Sequence, residues 1–204
     1  MATQPSQPKR LTAARRDLAA AEASLNRLRT AATFGEMEQA WTNFLVELDR
    51  VWVKVELVCK AHPKFAPWQG QHRRRRKRDP LLRYLTQARD SGEHTLGDLT
   101  AQVPGGIGIG AKPGTTVHIK RLVINATGPG QVEIEGDRPE NLMISLTPNQ
   151  IELLDVSNRS GRHKVPRSHL GTPIVEPTPL AVGELGLAYW RSFAEEAEVK
   201  FLAP

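Results

Sequence analysis

The chain has 204 residues, 39% hydrophobic and 25% charged, with a formal net charge of +6 and a pI near 9.8. That length holds one domain with a substantial core, or a domain carrying a sizeable insertion, and no apolar run approaches the ~20 residues of a membrane-spanning helix. The single cysteine, Cys59, excludes an intrachain disulfide and sets a cytoplasmic, reducing compartment as the expectation, while the basic balance suits a polyanionic partner.

Residues 1–10 are polar, contain two prolines and lack an apolar h-region, so they read as a flexible N-terminus and not as a secretory signal. Leu11, Ala14, Leu18, Ala21, Leu25, Leu28 and Ala32 then recur at alternating spacings of three and four, one apolar seam on a first helix. Thr33 and Glu36 form a T-x-x-E capping box that separates it from a second helix. The second seam is Met37, Trp41, Phe44, Leu48, Val51, Val55 and Val58, and Pro63 ends it. Cys59 lies beside this seam and reads as a small buried hydrophobe.

Residues 63–78 are rich in Pro, Gln and Arg and read as a basic loop. They include His72 and the run Arg73, Arg74, Arg75, Arg76, Lys77 and Arg78. Such a run is either a solvated linker or a phosphate-attracting arm. Asp79 followed by Pro80 starts a third helix, with a seam of Leu81, Leu85, Ala88, Gly92, Leu96 and Leu99.

The period shortens toward two after Val103-Pro104-Gly105-Gly106. Short strands are expected at Val117–Ile119, Leu122–Ile124, Val132–Ile134, Leu142–Leu146 and Ile151–Val156, joined by Gly/Pro turns as antiparallel hairpins. Gly105–Lys112 has the glycine content of a phosphate loop but not its Gly-Lys-Ser/Thr ending, and reads as a turn-rich lead-in to the strands. Residues 157–177 are polar and proline-rich. Thr178-Pro179 caps a last helix that is apolar over a wide arc. The predicted organisation is mainly α with a β-insertion. Residues 11–102 and 178–204 form a four-helix bundle, and 103–177 are the insertion between its third and last helices.

The most pointed chemistry lies in the third helix, at Arg89-Asp90-Ser91-Gly92-Glu93-His94. An arginine holds phosphate through a fixed fork and stays charged. A histidine exchanges a proton near neutral pH. Together they are a minimal kit for cleaving a phosphodiester without a metal. Five residues of regular helix turn about 500°, leaving Arg89 and His94 roughly 140° apart. A kink at Gly92 or a second copy of the motif would bring the two to one phosphate. None of the remaining histidines pairs with Cys or another His at metal-ligand spacing.

The capped helix, the R-x4-H spacing and the acidic residue after Arg89 resemble the HEPN family of helical bundles. The resemblance covers roughly residues 11–101 and 178–202. It implies a homodimer with a shared cleft and a metal-independent RNA endonuclease, of the kind found in toxin and defence systems. His94 would take the proton of an RNA 2′-hydroxyl, Asp90 would orient the imidazole, and Arg89 would hold the scissile phosphate. The products would be 2′,3′-cyclic phosphate and 5′-hydroxyl ends, with no cofactor. Two alternatives stand beside this: a catalytically inactive scaffold that binds a protein partner, and non-specific nucleic-acid binding through Arg73–Arg78 alone.

Overall fold

The structure is a computed structural model that describes residues 11–94, 99–125 and 131–202. Among them the chain forms five α-helices: α1 (Thr12–Thr30), α2 (Phe34–Cys59), α3 (Phe65–Arg78), α4 (Pro80–His94) and α5 (Pro179–Phe201). Ten short strands lie between α4 and α5. They are β1 (Thr100–Val103), β2 (Gly106–Ala111), β3 (Ile119–Asn125), β4 (Gln131–Gly136), β5 (Leu142–Thr147), β6 (Gln150–Leu153), β7 (Val156–Asn158), β8 (Gly161–His163), β9 (Ser168–His169) and β10 (Thr172–Pro173). They pair as five separate two-stranded antiparallel ladders, β1–β6, β2–β5, β3–β4, β7–β8 and β9–β10. Residues 104–150 form one compact unit; the other described residues form a second.

This corrects the expected four-helix bundle with one small β-segment. The additional helix is α3, in the stretch read as a basic loop. Phe65, Trp68 and His72 are buried on one side of it, and the half-buried Arg76 continues that row one turn later. These positions follow helical spacing, but a histidine and an arginine complete the seam where aliphatic residues would be expected. Gln, Arg and Lys are good helix formers, and Pro67 falls within the first turn, where its missing N–H costs little. Further along, the expected lead-in turn at Gly105–Lys112 is strand β2, and the polar stretch 157–177 contains parts of two ladders.

The third seam, expected through Leu99, is shorter: α4 spans Pro80–His94, Leu96 lies outside the described residues, and Leu99 directly precedes strand β1. The capping signals act where the sequence places them. Thr33 Oγ1 accepts from the Glu36 N–H, and the Glu36 carboxylate accepts from the Thr33 N–H, completing the capping box. Asp79 Oδ1 accepts from the Leu82 N–H at 2.9 Å, and Thr178 Oγ1 from the Ala181 N–H at 3.2 Å. In the helical unit α1 packs on α2 and α5, and α4 packs on α2, α3 and α5. Two glycines of α5 permit that approach. A Cβ built at Gly183 would lie 2.5 Å from Leu25 Cδ2, and one at Gly186 2.5 Å from Leu85 Cδ1.

An aromatic cluster joins α2, α3 and α5. Phe193 stacks on Trp52 at 5.3 Å and on Trp68 at 5.0 Å, and Phe201 meets Phe65 edge-on at 5.4 Å. Cys59 is 1% exposed, and burial pushes its thiol up to about 11, so it is a core residue with little thiolate. Among the described residues no helix is long and apolar enough to cross a membrane.

Candidate nucleic-acid interface

The basic run does not act as a block, because the period of α3 sends its residues in different directions. His72, 5% exposed, turns inward. Its Nδ1 lies 3.0 Å from the Tyr189 hydroxyl and its Nε2 3.4 Å from Glu196 Oε2. The Trp68 indole N–H donates to the other oxygen of Glu196 at 2.7 Å. Burial pulls the His72 pKa below its ordinary value, opposed by Glu196, so this imidazole fastens α3 to α5.

Arg76, one turn on, is also structural. Its side chain is 14% exposed. The guanidinium lies 4.6 Å from the Trp52 ring and 5.1 Å from the Trp190 ring, and donates to Asp49 Oδ1 and Thr86 Oγ1, each at 3.2 Å. Burial lowers its pKa and Asp49 opposes that; arginine starts high enough to stay charged. Two indole faces and a carboxylate replace the water such a cation would otherwise hold.

Arg73 and Lys77 remain in solvent and line a cleft of about 380 Å³ together with Arg76 and, from α4, Arg83. Thr86 and Gln87 of α4, Trp52 of α2, and Ser160 and His163 of the β7–β8 hairpin complete the lining. The hairpin turns through Arg159-Ser160 into Gly161, whose φ of +118° suits glycine. Gln87 holds this turn against α4. Its Oε1 accepts from Asn158 Nδ2 at 2.8 Å and from Ser160 Oγ at 2.6 Å. Ser160 Oγ also lies 2.9 Å from His163 Nε2. Burial, and secondarily Arg83, lower the His163 pKa, so the ring is mainly neutral at pH 7. Four cations therefore surround one cleft, and among the described residues no carboxylate lines it.

Asp79 fixes the junction of α3 and α4 beside this cleft. Its side chain, 5% exposed, accepts the Leu82 N–H, the Leu170 N–H at 2.6 Å and His169 Nδ1 at 3.0 Å. Burial raises its pKa, but the Leu170 and Leu82 N–H groups and His169 together outweigh that and hold it below the ordinary value.

Two of the three predicted catalytic residues are placed together. The half-buried Arg89 lies 3.6 Å from Asp49 Oδ2 and donates to Asp90 Oδ1 at 3.0 Å. Asp49 thus bridges Arg76 and Arg89. The side chain of the third, His94, lies outside the described residues, as does that of Glu93. α4 runs on through Gly92 to His94.

Of the predicted nucleic-acid-binding residues, Arg73, Arg76 and Lys77 meet at the cleft, whereas Arg74, Arg75 and Arg78 are exposed elsewhere on α3. Arg83, Gln87, Ser160 and His163 were not singled out by the sequence reading. The i,i+4 spacing of Arg83 and Gln87 on a capped helix was the available signal. Nothing local marks Ser160 and His163, which reach the cleft only through the fold.

Among the described residues no group of His, Cys, Asp and Glu is arranged to hold a metal ion. No protein-family model, curated protein or solved structure matches the chain.

Proposed function

We propose that the chain binds single-stranded RNA in the cleft between α3, α4 and the β7–β8 hairpin. Arg73, Lys77 and Arg83 neutralise successive phosphates, while Gln87, Ser160 and His163 meet sugar hydroxyls and base edges. The observation that carries this reading is a cleft with four cations and, among the described residues, no carboxylate, assembled from three separated parts of the chain. Trp52 is 8% exposed beneath Arg76, so it supports that guanidinium and does not serve as a stacking platform. A cytoplasmic location suits an RNA partner and a lone buried thiol. The test is fluorescence anisotropy with a labelled single-stranded RNA. The triple variant Arg73→Gln, Lys77→Gln, Arg83→Gln is expected to bind at least tenfold more weakly while melting like the wild type. Equal affinity for both proteins would refute the reading.

A second reading makes the same surface a metal-independent endoribonuclease, and one feature favours it. By helical spacing, positions 83, 87, 90 and 94 of α4 share one face, so the histidine position of the motif follows Arg83 and Gln87 along the helix. In this reading the His94 imidazole takes the 2′-hydroxyl proton, the 2′-oxygen attacks phosphorus, and the P–O5′ bond breaks with the 5′-oxygen taking a proton from water to leave as a hydroxyl, while Arg89 stabilises the charge on the phosphate. Arg89 already interacts with Asp49 and Asp90, so RNA would have to compete with two carboxylates for it. Incubation of mixed single-stranded RNA in EDTA decides. Cyclic-phosphate ends that vanish in His94→Ala and Arg89→Ala support cleavage; intact RNA that is nonetheless bound leaves a binding module.

A further inference from the structure

The cleft between α3, α4 and the β7–β8 hairpin gathers charge that nothing nearby cancels. Arg76 is paired with Asp49. Arg73 bonds to the uncharged Gln69 Oε1 at 3.3 Å, and Lys77 and Arg83 have no ion-pair partner among the described residues. Three uncompensated cations therefore face a space of about 380 Å³. That is near the lower end of small-ligand pockets, roughly 300–1,000 Å³, and is room for about one nucleotide.

Two further features bear on what fits there. A groove that tracks a single strand stacks successive bases on aromatic side chains. Among the described lining residues Trp52 is the only Trp, Tyr or Phe, and Arg76 covers it. The cleft thus offers charge and hydrogen bonds at one place, without a stacking platform along a strand. Its neutral wall is fixed: Ser160 Oγ lies 2.6 Å from both Gln87 Oε1 and Asn158 Oδ1, and 2.9 Å from His163 Nε2. A hydroxyl has one hydrogen. The two amide oxygens share it, so His163 Nε2 carries its own hydrogen and donates to Ser160 Oγ. That tautomer leaves His163 Nδ1 as an acceptor for a sugar hydroxyl.

We propose that the cleft seats the end nucleotide of an RNA that terminates in a phosphate monoester, an inference that rests on the RNA-binding reading and narrows it to strand ends. A phosphate monoester carries about −1.5 to −2 charge at pH 7, and with the diester on the other side of the same sugar the end nucleotide carries about −2.5 to −3. That matches Arg73, Lys77 and Arg83. An internal nucleotide, flanked by two diesters, brings about −2 and leaves one cation unmatched. The terminal phosphate also presents three unbridged oxygens, which suit the two-pronged donation of Arg73 and Arg83.

Anisotropy with a short, internally labelled single-stranded RNA tests this, comparing a 5′-phosphate, a 3′-phosphate and hydroxyls at both ends. One phosphorylated RNA is expected to bind at least about tenfold more tightly than the hydroxyl-ended one. That ratio should fall toward one in Lys77→Gln, Arg83→Gln. It should persist in Arg74→Gln, Arg78→Gln, which removes two charges elsewhere on α3. All four residues are exposed, so both variants should melt like the wild type. Equal affinity for the three RNAs would overturn the inference and leave the RNA-binding reading standing. A ratio that survives Lys77→Gln, Arg83→Gln would also overturn it, because the end would then be held outside the cleft. Failure of every RNA to bind would remove both. A nucleoside 3′,5′-bisphosphate separates the sources of the phosphates. Displacement of the RNA only at a large excess supports an RNA end; displacement at equal concentration assigns the cleft to a free nucleotide and overturns the RNA end as its occupant.

Discussion

Replacing Arg76 by alanine separates the two roles that α3 combines. The side chain is 14% exposed and covers the faces of Trp52 and Trp190. At that depth each ring contact contributes about 0.5–1 kcal/mol. The charge-assisted bond to Asp49 adds about 1 kcal/mol, discounted because Asp49 is 24% exposed and keeps Arg89 as a neighbour. Arg76→Ala should therefore cost about 2–3 kcal/mol, or about 5–10 °C in Tm for a chain of this size. Urea unfolding followed by tryptophan fluorescence reads this directly, with the midpoint falling and m unchanged. Lys77→Ala, one residue on but in solvent, should cost under about 0.5 kcal/mol. If Arg76→Ala proves as stable as Lys77→Ala, the guanidinium is not a core element and the division of the basic run fails.

Three other perturbations address the junction, the cleft and the helix contacts. Asp79→Ala removes a helix cap and the acceptor of the Leu170 N–H and of His169, so a loss of about 1–3 kcal/mol is expected in chemical denaturation. Because the folded pKa of Asp79 is held below its ordinary 3.8, its contribution is present above that value and is lost as pH falls through the folded pKa; unfolding curves between pH 6 and pH 2 should show a wild-type decline that is shallower in Asp79→Ala, the other carboxylates with lowered pKa supplying the remainder. His163 is mainly neutral at pH 7 and gains charge on acidification. RNA affinity measured by anisotropy should then rise as pH falls from 7.5 to 5.5, and His163→Gln should flatten that rise. Gly186→Ala drives a Cβ to 2.5 Å from Leu85 Cδ1 and should lower stability by about 1–3 kcal/mol in the same urea assay.

Much of the helical unit was legible because aliphatic residues mark its seams: Leu11 to Ala32, Met37 to Val58 and Leu81 to Ala88 repeat at helical spacing, with caps at Thr33, Asp79 and Thr178. α3 was not legible because its inward row ends in His72 and Arg76. Their burial is stabilised by Tyr189, Glu196, Trp52 and Trp190, residues far away in sequence that no local pattern reveals. Strand β2 was hidden by its alternating glycines, which signal turns when the partner strand β5 is not in view.

At the site, Arg89 and Asp90 could be named from one short motif. The cleft itself could not, since Ser160 reaches it through a hydrogen bond to Gln87, 73 residues away in the chain, and His163 is held there by its contact with Ser160. The charge run marked the stretch as basic, but only the helix phase distinguishes Arg73 and Lys77, which face solvent at the cleft, from Arg76, which is folded into the core.

The most direct test of the RNA-binding account is the salt dependence of affinity for a labelled single-stranded RNA, wild type against the Arg73→Gln, Lys77→Gln, Arg83→Gln protein. Each phosphate contact on a single strand contributes about 0.7 to the slope of log affinity against log salt, so loss of three should reduce that slope by about 2. An unchanged slope in a triple variant that melts like the wild type would contradict the account, because the bound polyanion would then lie somewhere other than this cleft.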